Sequence, residues 1–224
     1  LELRNLVNGP LLDGQVSAFD PSGGEMWRHD AGAPVTSLGK VERGTESWIV
    51  AALQDGRLQV LSPDGALHWQ VVLGTASVGS PVWHVADLEG DGAAEIVVGL
   101  GSGEPLLALL SMDGEPLWRV GVPSGVNALS SLDLDGDGKP EILTGLSSGE
   151  VQAYDSQGRL RAAVHAGLPV WDLIPVGDAA LVLADVVAWR IRGVPARLAD
   201  HGCRHRTCCP QRLIPFTMSP SALA

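Results

Sequence analysis

Two stretches of this chain superpose residue by residue without a gap. Asp13-Gly-Gln-Val-Ser-Ala-Phe-Asp-Pro-Ser-Gly-Gly-Glu-Met-Trp27 and Asp55-Gly-Arg-Leu-Gln-Val-Leu-Ser-Pro-Asp-Gly-Ala-Leu-His-Trp69 lie 42 residues apart. A third copy runs from Ser102-Gly-Glu-Pro-Leu to Asp113-Gly-Glu-Pro-Leu-Trp118. A fourth runs from Ser148-Gly-Glu-Val-Gln-Ala-Tyr-Asp to Gly158-Arg-Leu-Arg161, with Arg in place of Trp, and a fifth begins at Val186-Val-Ala-Trp189. The shared glycine recurs at Gly14, Gly56, Gly103 and Gly149, spacings of 42, 47 and 46 residues. A period of this size means one supersecondary unit stacked on copies of itself.

Inside a copy, residues 57 to 61 and 67 to 73 flank a Pro-Asp-Gly turn, and further apolar runs follow at 81 to 88 and 95 to 100. Val, Ile, Leu and Trp fill the runs, and Gly or Pro interrupts any window long enough for a helix. Four short strands per period predict an all-β chain, a β-propeller of four-stranded blades. About four and a half blades are expected, an incomplete ring. A β-sandwich would not repeat at a constant period. The repeats predict blades over 10–53, 54–100, 101–146 and 147–185, with a fifth starting at 186. Residues 1–9 read as a remnant of a preceding blade or a leader.

Two segments stand out chemically, Asp87-Leu-Glu-Gly-Asp-Gly-Ala-Ala-Glu95 and Asp133-Leu-Asp-Gly-Asp-Gly-Lys-Pro-Glu141, 46 residues apart. Acids alternate at positions 1, 3 and 5, a glycine at 6 allows a sharp turn, and a glutamate closes the loop at 9. Such a pattern makes an oxygen cage suited to a hard cation, since the carboxylates would otherwise repel one another. The expected ligands are Asp87, Glu89, Asp91 and Glu95 in the first loop and Asp133, Asp135, Asp137 and Glu141 in the second. Ala93 and Lys139 supply a backbone oxygen each. Two Ca2+ sites are expected, the first looser because Glu89 is longer than Asp. The equivalents in the outer blades, Lys40 to Glu46 and Pro175 to Asp178, lack the acids and should not bind.

The acidic segments resemble the calcium loops of FG-GAP repeats in integrin α-chain propellers. Gly14 to Trp27 and Gly149 to Asp155 resemble the quinoprotein-type (PQQ-like) propeller repeat. The resemblance implies a non-catalytic module that recognises or scaffolds a protein or glycan, with calcium stiffening the hairpins. The alternatives are a fragment of a propeller enzyme (a polysaccharide lyase or quinoprotein-type oxidoreductase) and a sensor domain of a larger receptor. Gly145-Leu-Ser-Ser-Gly149 matches the nucleophile-elbow pattern, but a strand rather than a helix follows it, so it reads as a hairpin turn. No catalytic residue is nominated. Trp27, Trp69 and Trp118 share one repeat position and Trp83 and Trp171 another, and packing between blades is expected of both sets.

Charge separates the chain into two parts. Fifteen basic and 26 acidic residues give a net −11, which argues against a nucleic-acid partner. Arg190 to Ala224 nevertheless holds six arginines against Asp200, together with all three cysteines, Cys203, Cys208 and Cys209. Residues 194–224 are therefore expected to be a disordered basic tail outside the blades. The adjacent pair Cys208-Cys209 resembles the vicinal disulfide of PQQ-dependent dehydrogenases, though it lies beyond the repeats, and the tail lacks paired zinc knuckles. The thiol-free, acidic body suits an extracellular or periplasmic location. No run reaches the roughly 18 apolar residues of a membrane span. The chain starts at Leu1 with no charged-then-apolar leader, so it reads as processed or as part of a larger polypeptide.

Overall fold

A computed structural model describes residues 14–74, 81–101, 104–184, 187–193 and 216–220. All regular structure in them is strand, in sequential antiparallel meanders. The elements are β1 (Gln15–Phe19), β2 (Glu25–Asp30), β3 (Val35–Arg43), β4 (Glu46–Leu53), β5 (Arg57–Leu61), β6 (Leu67–Val72), β7 (Val82–Ala86), β8 (Glu95–Gly99) and β9 (Leu106–Leu110). They continue with β10 (Pro116–Gly121), β11 (Val126–Leu132), β12 (Glu141–Leu146), β13 (Glu150–Tyr154), β14 (Leu160–His165), β15 (Val170–Val176), β16 (Ala179–Ala184), β17 (Val187–Gly193) and β18 (Phe216–Pro220). β1 and β2 pair as a hairpin, and the other sixteen form four sheets, β3 to β6, β7 to β10, β11 to β14 and β15 to β18. The expected all-β propeller architecture of four-stranded sheets is present.

The sheets are out of phase with the sequence repeat by half a unit. Gly56 and Gly149 open the third strands of their sheets, β5 and β13, so the segment expected as one blade, 54–100, holds β5 and β6 of one sheet and β7 and β8 of the next. The expected boundaries near 53, 100, 146 and 185 therefore do not coincide with sheet ends. Both the hairpin turns and the crossings between sheets are rich in Gly and Pro, so the pattern fixes the period and not the phase. The turn at Ser147-Ser148-Gly149 is a hairpin between β12 and β13, closed by the Gly149 N–H on the Leu146 carbonyl at 3.0 Å, as read from the sequence.

One expectation about the tail is corrected. Phe216–Pro220 pairs antiparallel with β17, from Trp189↔Pro220 to Gly193↔Phe216, and completes the fourth sheet. A fourth strand needs only its backbone groups to satisfy an open edge, so it can be recruited without any trace of the repeat. The cysteines and the rest of 194–224 lie outside the described residues, as does 1–9.

The chain divides into two compact units, 1–83 with 100–104, and 84–99 with 105–224. In the first, Val16 and Ala31 of the β1–β2 hairpin pack on Val35, Ile49, Ala51 and Leu53 of β3 and β4. In the second, Leu143, Val151 and Ala153 of the β11–β14 sheet meet Val170, Leu173, Ala180 and Val182 of the next. Tryptophans lock neighbouring sheets. The Trp27 Nε1–H donates to the Pro63 carbonyl at 3.0 Å, and Trp118 repeats the bond to Ser156 at 2.7 Å. Each indole lies flat over the glycine two residues on, Gly65 or Gly158, whose φ of 82° or 75° already favours glycine.

Trp83 and Trp171 do not share a position. Trp83 precedes Asp87 as Leu129 precedes Asp133, and it lies over Gly39 with Nε1–H on the Ser37 hydroxyl at 3.2 Å. Trp171 sits at the bulge between Val170 and Asp172, where the β11 bulge holds Asn127, and is 62% exposed. Packing holds for Trp83 and fails for Trp171.

The latch can be tested at Gly158. A Cβ there would come within 2.8 Å of the Trp118 ring, on a backbone that alanine adopts with strain. Gly158→Ala should cost about 1–3 kcal/mol in urea unfolding. Trp118→Phe, which keeps the ring and loses the Ser156 bond, should cost nearer 1 kcal/mol.

Candidate metal centre

Both acidic segments are connections between the first and second strands of a sheet. Residues 87–94 join β7 to β8, and 133–140 join β11 to β12. The first acid of each organises its loop. Asp133 accepts the N–H of Gly136 on Oδ1 at 2.7 Å and of Gly138 on Oδ2 at 2.9 Å. Asp87 accepts those of Gly90 at 2.6 Å, Asp91 at 3.2 Å and Gly92 at 2.8 Å. The paired glycines turn their N–H groups inward, with φ of 77° and 89° at Gly136 and Gly138. Further in, Asp135 accepts the Asp137 N–H, Asp137 accepts that of Lys139, and Asp91 accepts that of Ala93.

The closing glutamates open the second strands and are nearly sealed from solvent, Glu95 at 8% and Glu141 at 5% exposure. Each spends one oxygen on a loop N–H, Glu95 on Leu88 at 3.0 Å and Glu141 on Leu134 at 2.8 Å. In the second loop, Asp133, Asp135 and Glu141 bring one carboxylate oxygen each to within 4.8 Å of the others. Asp137 stands beside this group rather than in it. The first loop differs at Glu89, whose carboxylate is held by Lys139 Nζ at 3.3 Å and by Gln157 Nε2 at 3.1 Å.

Electrostatics separate these acids. Burial pushes Glu141 up to about 7, and Asp135, Asp137 and Asp133 add to the rise against the Leu134 hydrogen bond. Burial also raises Asp135, with Asp137 next, and raises Glu95. The Gly92 N–H and its neighbours hold Asp87 below the ordinary range, and Ser156 and Lys139 do the same for Glu89. Taking charged groups out of water beside like charges is costly unless an opposite charge joins them.

A cleft of about 250 Å³ lies against the second loop, with Asp135, Asp137 and Glu141 on one side and Asp155, Arg159 and Arg161 on the other. Arg159 is paired with Asp155 at 2.8 Å, while the Nε of Arg161 is buried with no hydrogen-bond partner. The expected replacement of Trp by Arg in the fourth copy is corrected: Ala162, paired with Ala153, stands where Trp27, Trp69 and Trp118 pair with Ala18, Val60 and Leu109, and Arg161 is the residue before it. In the β3–β6 sheet, Trp48 takes the place of Glu95 and Glu141, one residue before the isoleucine that begins the buried run. Arg43 lies over its ring at 5.1 Å and His68 meets it edge-on at 4.6 Å. Sequence reasoning noted the missing acids there but not this replacement, because the three residues come from three strands.

The architecture and the repeat define a PQQ-like β-propeller. The family model described as "Outer membrane protein assembly factor BamB" matches residues 12–166, about two thirds of the chain, and the chain belongs to that family. No curated protein matches the sequence. Similar folds occur in the crystal structure of BBS1N in complex with ARL6DN, at TM-score 0.58 and 18% identity over 78% of this chain and 52% of that one. Sqt1 of Saccharomyces cerevisiae is similar at TM-score 0.64 and 14% identity, over 82% and 54%. Raptor of Chaetomium thermophilum is similar at 0.61 and 13%, over 80% and 18%. The chain thus spans about half the length of the BBS1N and Sqt1 chains it matches.

The raised Glu141 gives a pH signature in metal-free solution. A folded-state value of about 7 against 4.5 means that the folded chain holds a proton which the unfolded chain releases. Stability from this group is complete below about pH 4.5 and is lost as pH rises to about 7, worth on the order of 1–3 kcal/mol. Melting in EDTA should show a falling midpoint across that window, and Glu141→Gln should flatten it.

Proposed function

We propose that this chain is a calcium-stabilised propeller module that recognises a partner protein or glycan, without chemistry of its own. The observation that carries the reading is the convergence of Asp133, Asp135 and Glu141 oxygens within 4.8 Å at a buried strand start. The donors are all hard oxygens, and Asp137 and the Lys139 carbonyl stand in the same loop to enlarge the set, which favours calcium over softer metals. When bound, the ion would neutralise the repulsion at Glu141 and stiffen the hairpin. The residues around it would hold the loop backbone in place through the Gly136, Gly138 and Leu134 N–H groups. The first loop offers Asp87, Asp91 and Glu95, with the Ala93 carbonyl, for a second ion, and Glu89 if it turns inward.

Recognition would use loops and exposed strand faces on a rigid scaffold. Trp171, Ile174 and Val176 of β15 are 62%, 41% and 44% exposed, an apolar run of the kind that marks an interaction surface. A family described as an assembly factor and a similar fold solved in a complex support a protein partner. An extracellular or periplasmic location follows from the same reading, because loops of modest affinity fill only where calcium is abundant.

The test is thermal melting with EDTA and with added calcium. With affinities on the order of 10⁻⁴–10⁻³ M, millimolar calcium should add about 0.4–1.4 kcal/mol per filled loop. Asp133→Asn should remove the second loop's share and Asp91→Ala the first loop's. A midpoint that ignores calcium, with no heat on titration, would defeat the metal reading. For recognition, glycan arrays and cross-linking should yield a partner whose binding drops with Trp171→Ser. Contacts that ignore this change would remove β15 from the surface.

A further inference from the structure

Glu89 occupies the third position of the first loop, where the alternation of acids would turn it inward, yet its carboxylate is held elsewhere. Lys139 Nζ lies 3.3 Å from one oxygen and Gln157 Nε2 donates to the other at 3.1 Å. Lys139 belongs to the second loop, and Gln157 to the turn between β13 and β14. One side chain therefore ties the first loop to the next sheet. A cation that took Glu89 as a ligand would have to withdraw it from both donors and from the neighbouring Ser156. The second loop asks for no such exchange, since Asp133, Asp135 and Glu141 already converge.

We propose that the two loops fill in order, the second before the first, and that the clasp of Glu89 with Lys139 and Gln157 sets the gap between them. This builds on the calcium reading above. Filling the first loop releases the clasp, so its occupancy reports calcium to the link between consecutive sheets, while the second loop serves as a permanent structural site. The gap is moderate. Lys139 and Glu89 are 51% and 43% exposed, and an exposed ion pair with one added hydrogen bond changes an equilibrium by roughly two- to tenfold.

The experiment is a calorimetric titration of the full chain with calcium chloride. The parent should show two resolved steps, and Glu141→Gln should remove the tighter one. Lys139→Met, which keeps the loop backbone and removes the ammonium, should tighten the weaker step roughly two- to tenfold. Gln157→Ala should move it in the same direction. That change alters no charge, so it separates release of the clasp from a general rise in negative potential. Two steps that ignore both variants, a single affinity for both loops, or loss of the weaker step in Glu141→Gln would overturn the order and leave calcium binding intact. No heat and no melting shift in the parent would defeat both readings at once.

Discussion

An antiparallel sheet whose second strand is apolar on both faces cannot stand in water, and that constraint organises this molecule. β8 and β12 are buried along their whole length, and β4 over its last five residues. A strand buried on both faces needs a neighbouring sheet on each side. The approach is close enough to dictate sequence. A Cβ on Gly145 would lie 2.4 Å from the Val170 side chain, and one on Gly99 would lie 2.4 Å from Val126. β16 alternates between buried and half-buried, which is what a sheet covered on one face alone should show. The exposed Ile174 pairs with Leu181 on that open side.

The acidic loops draw their character from the same constraint. Glu95 and Glu141 are the first residues of the buried strands, so their backbone is fixed by the ladder and their carboxylates cannot retreat to solvent. The cost falls unevenly. Asp87 is satisfied by three N–H groups, whereas Glu141 has one N–H and three acidic neighbours. A loop built only as a turn would have no reason to place its one buried carboxylate against the others.

Much of this was legible in the sequence. The repeat gave the strand count per sheet, the positions of β5 to β8 almost to the residue, and both loops, because period and alternation are local properties of the chain. Three things were not legible. Sheet phase depends on which Gly-rich turn closes a hairpin and which crosses to the next sheet. β18 has no repeat signature at all. The departure of Glu89 depends on Lys139 and Gln157, 50 and 68 residues away. The pairing of Trp83 with Trp171 failed because they stand two positions apart in the repeat, Trp83 matching Leu129 and Trp171 matching Asn127 at a bulge that β3, β11 and β15 share.

Where the chain departs from its own repeat, its chemistry changes while the lattice stays. At the latch position, Trp27 and Trp118 cap a glycine and bond a carbonyl, but the fourth copy has the buried Ala162, and its neighbour Arg161 lines the cleft beside the second loop. At the head of the buried strand, Glu95 and Glu141 give way to Trp48, with Arg43 stacked on it. In that sheet the head of the buried strand carries an indole in place of a carboxylate, and the Arg43 guanidinium over it is held by the ring's electron-rich face. The β3–β4 hairpin is short, with two residues between its strands where the acidic loops have eight. Loop length and acid content change together, since the short β3–β4 turn has no room for the alternating acids that the eight-residue connections carry.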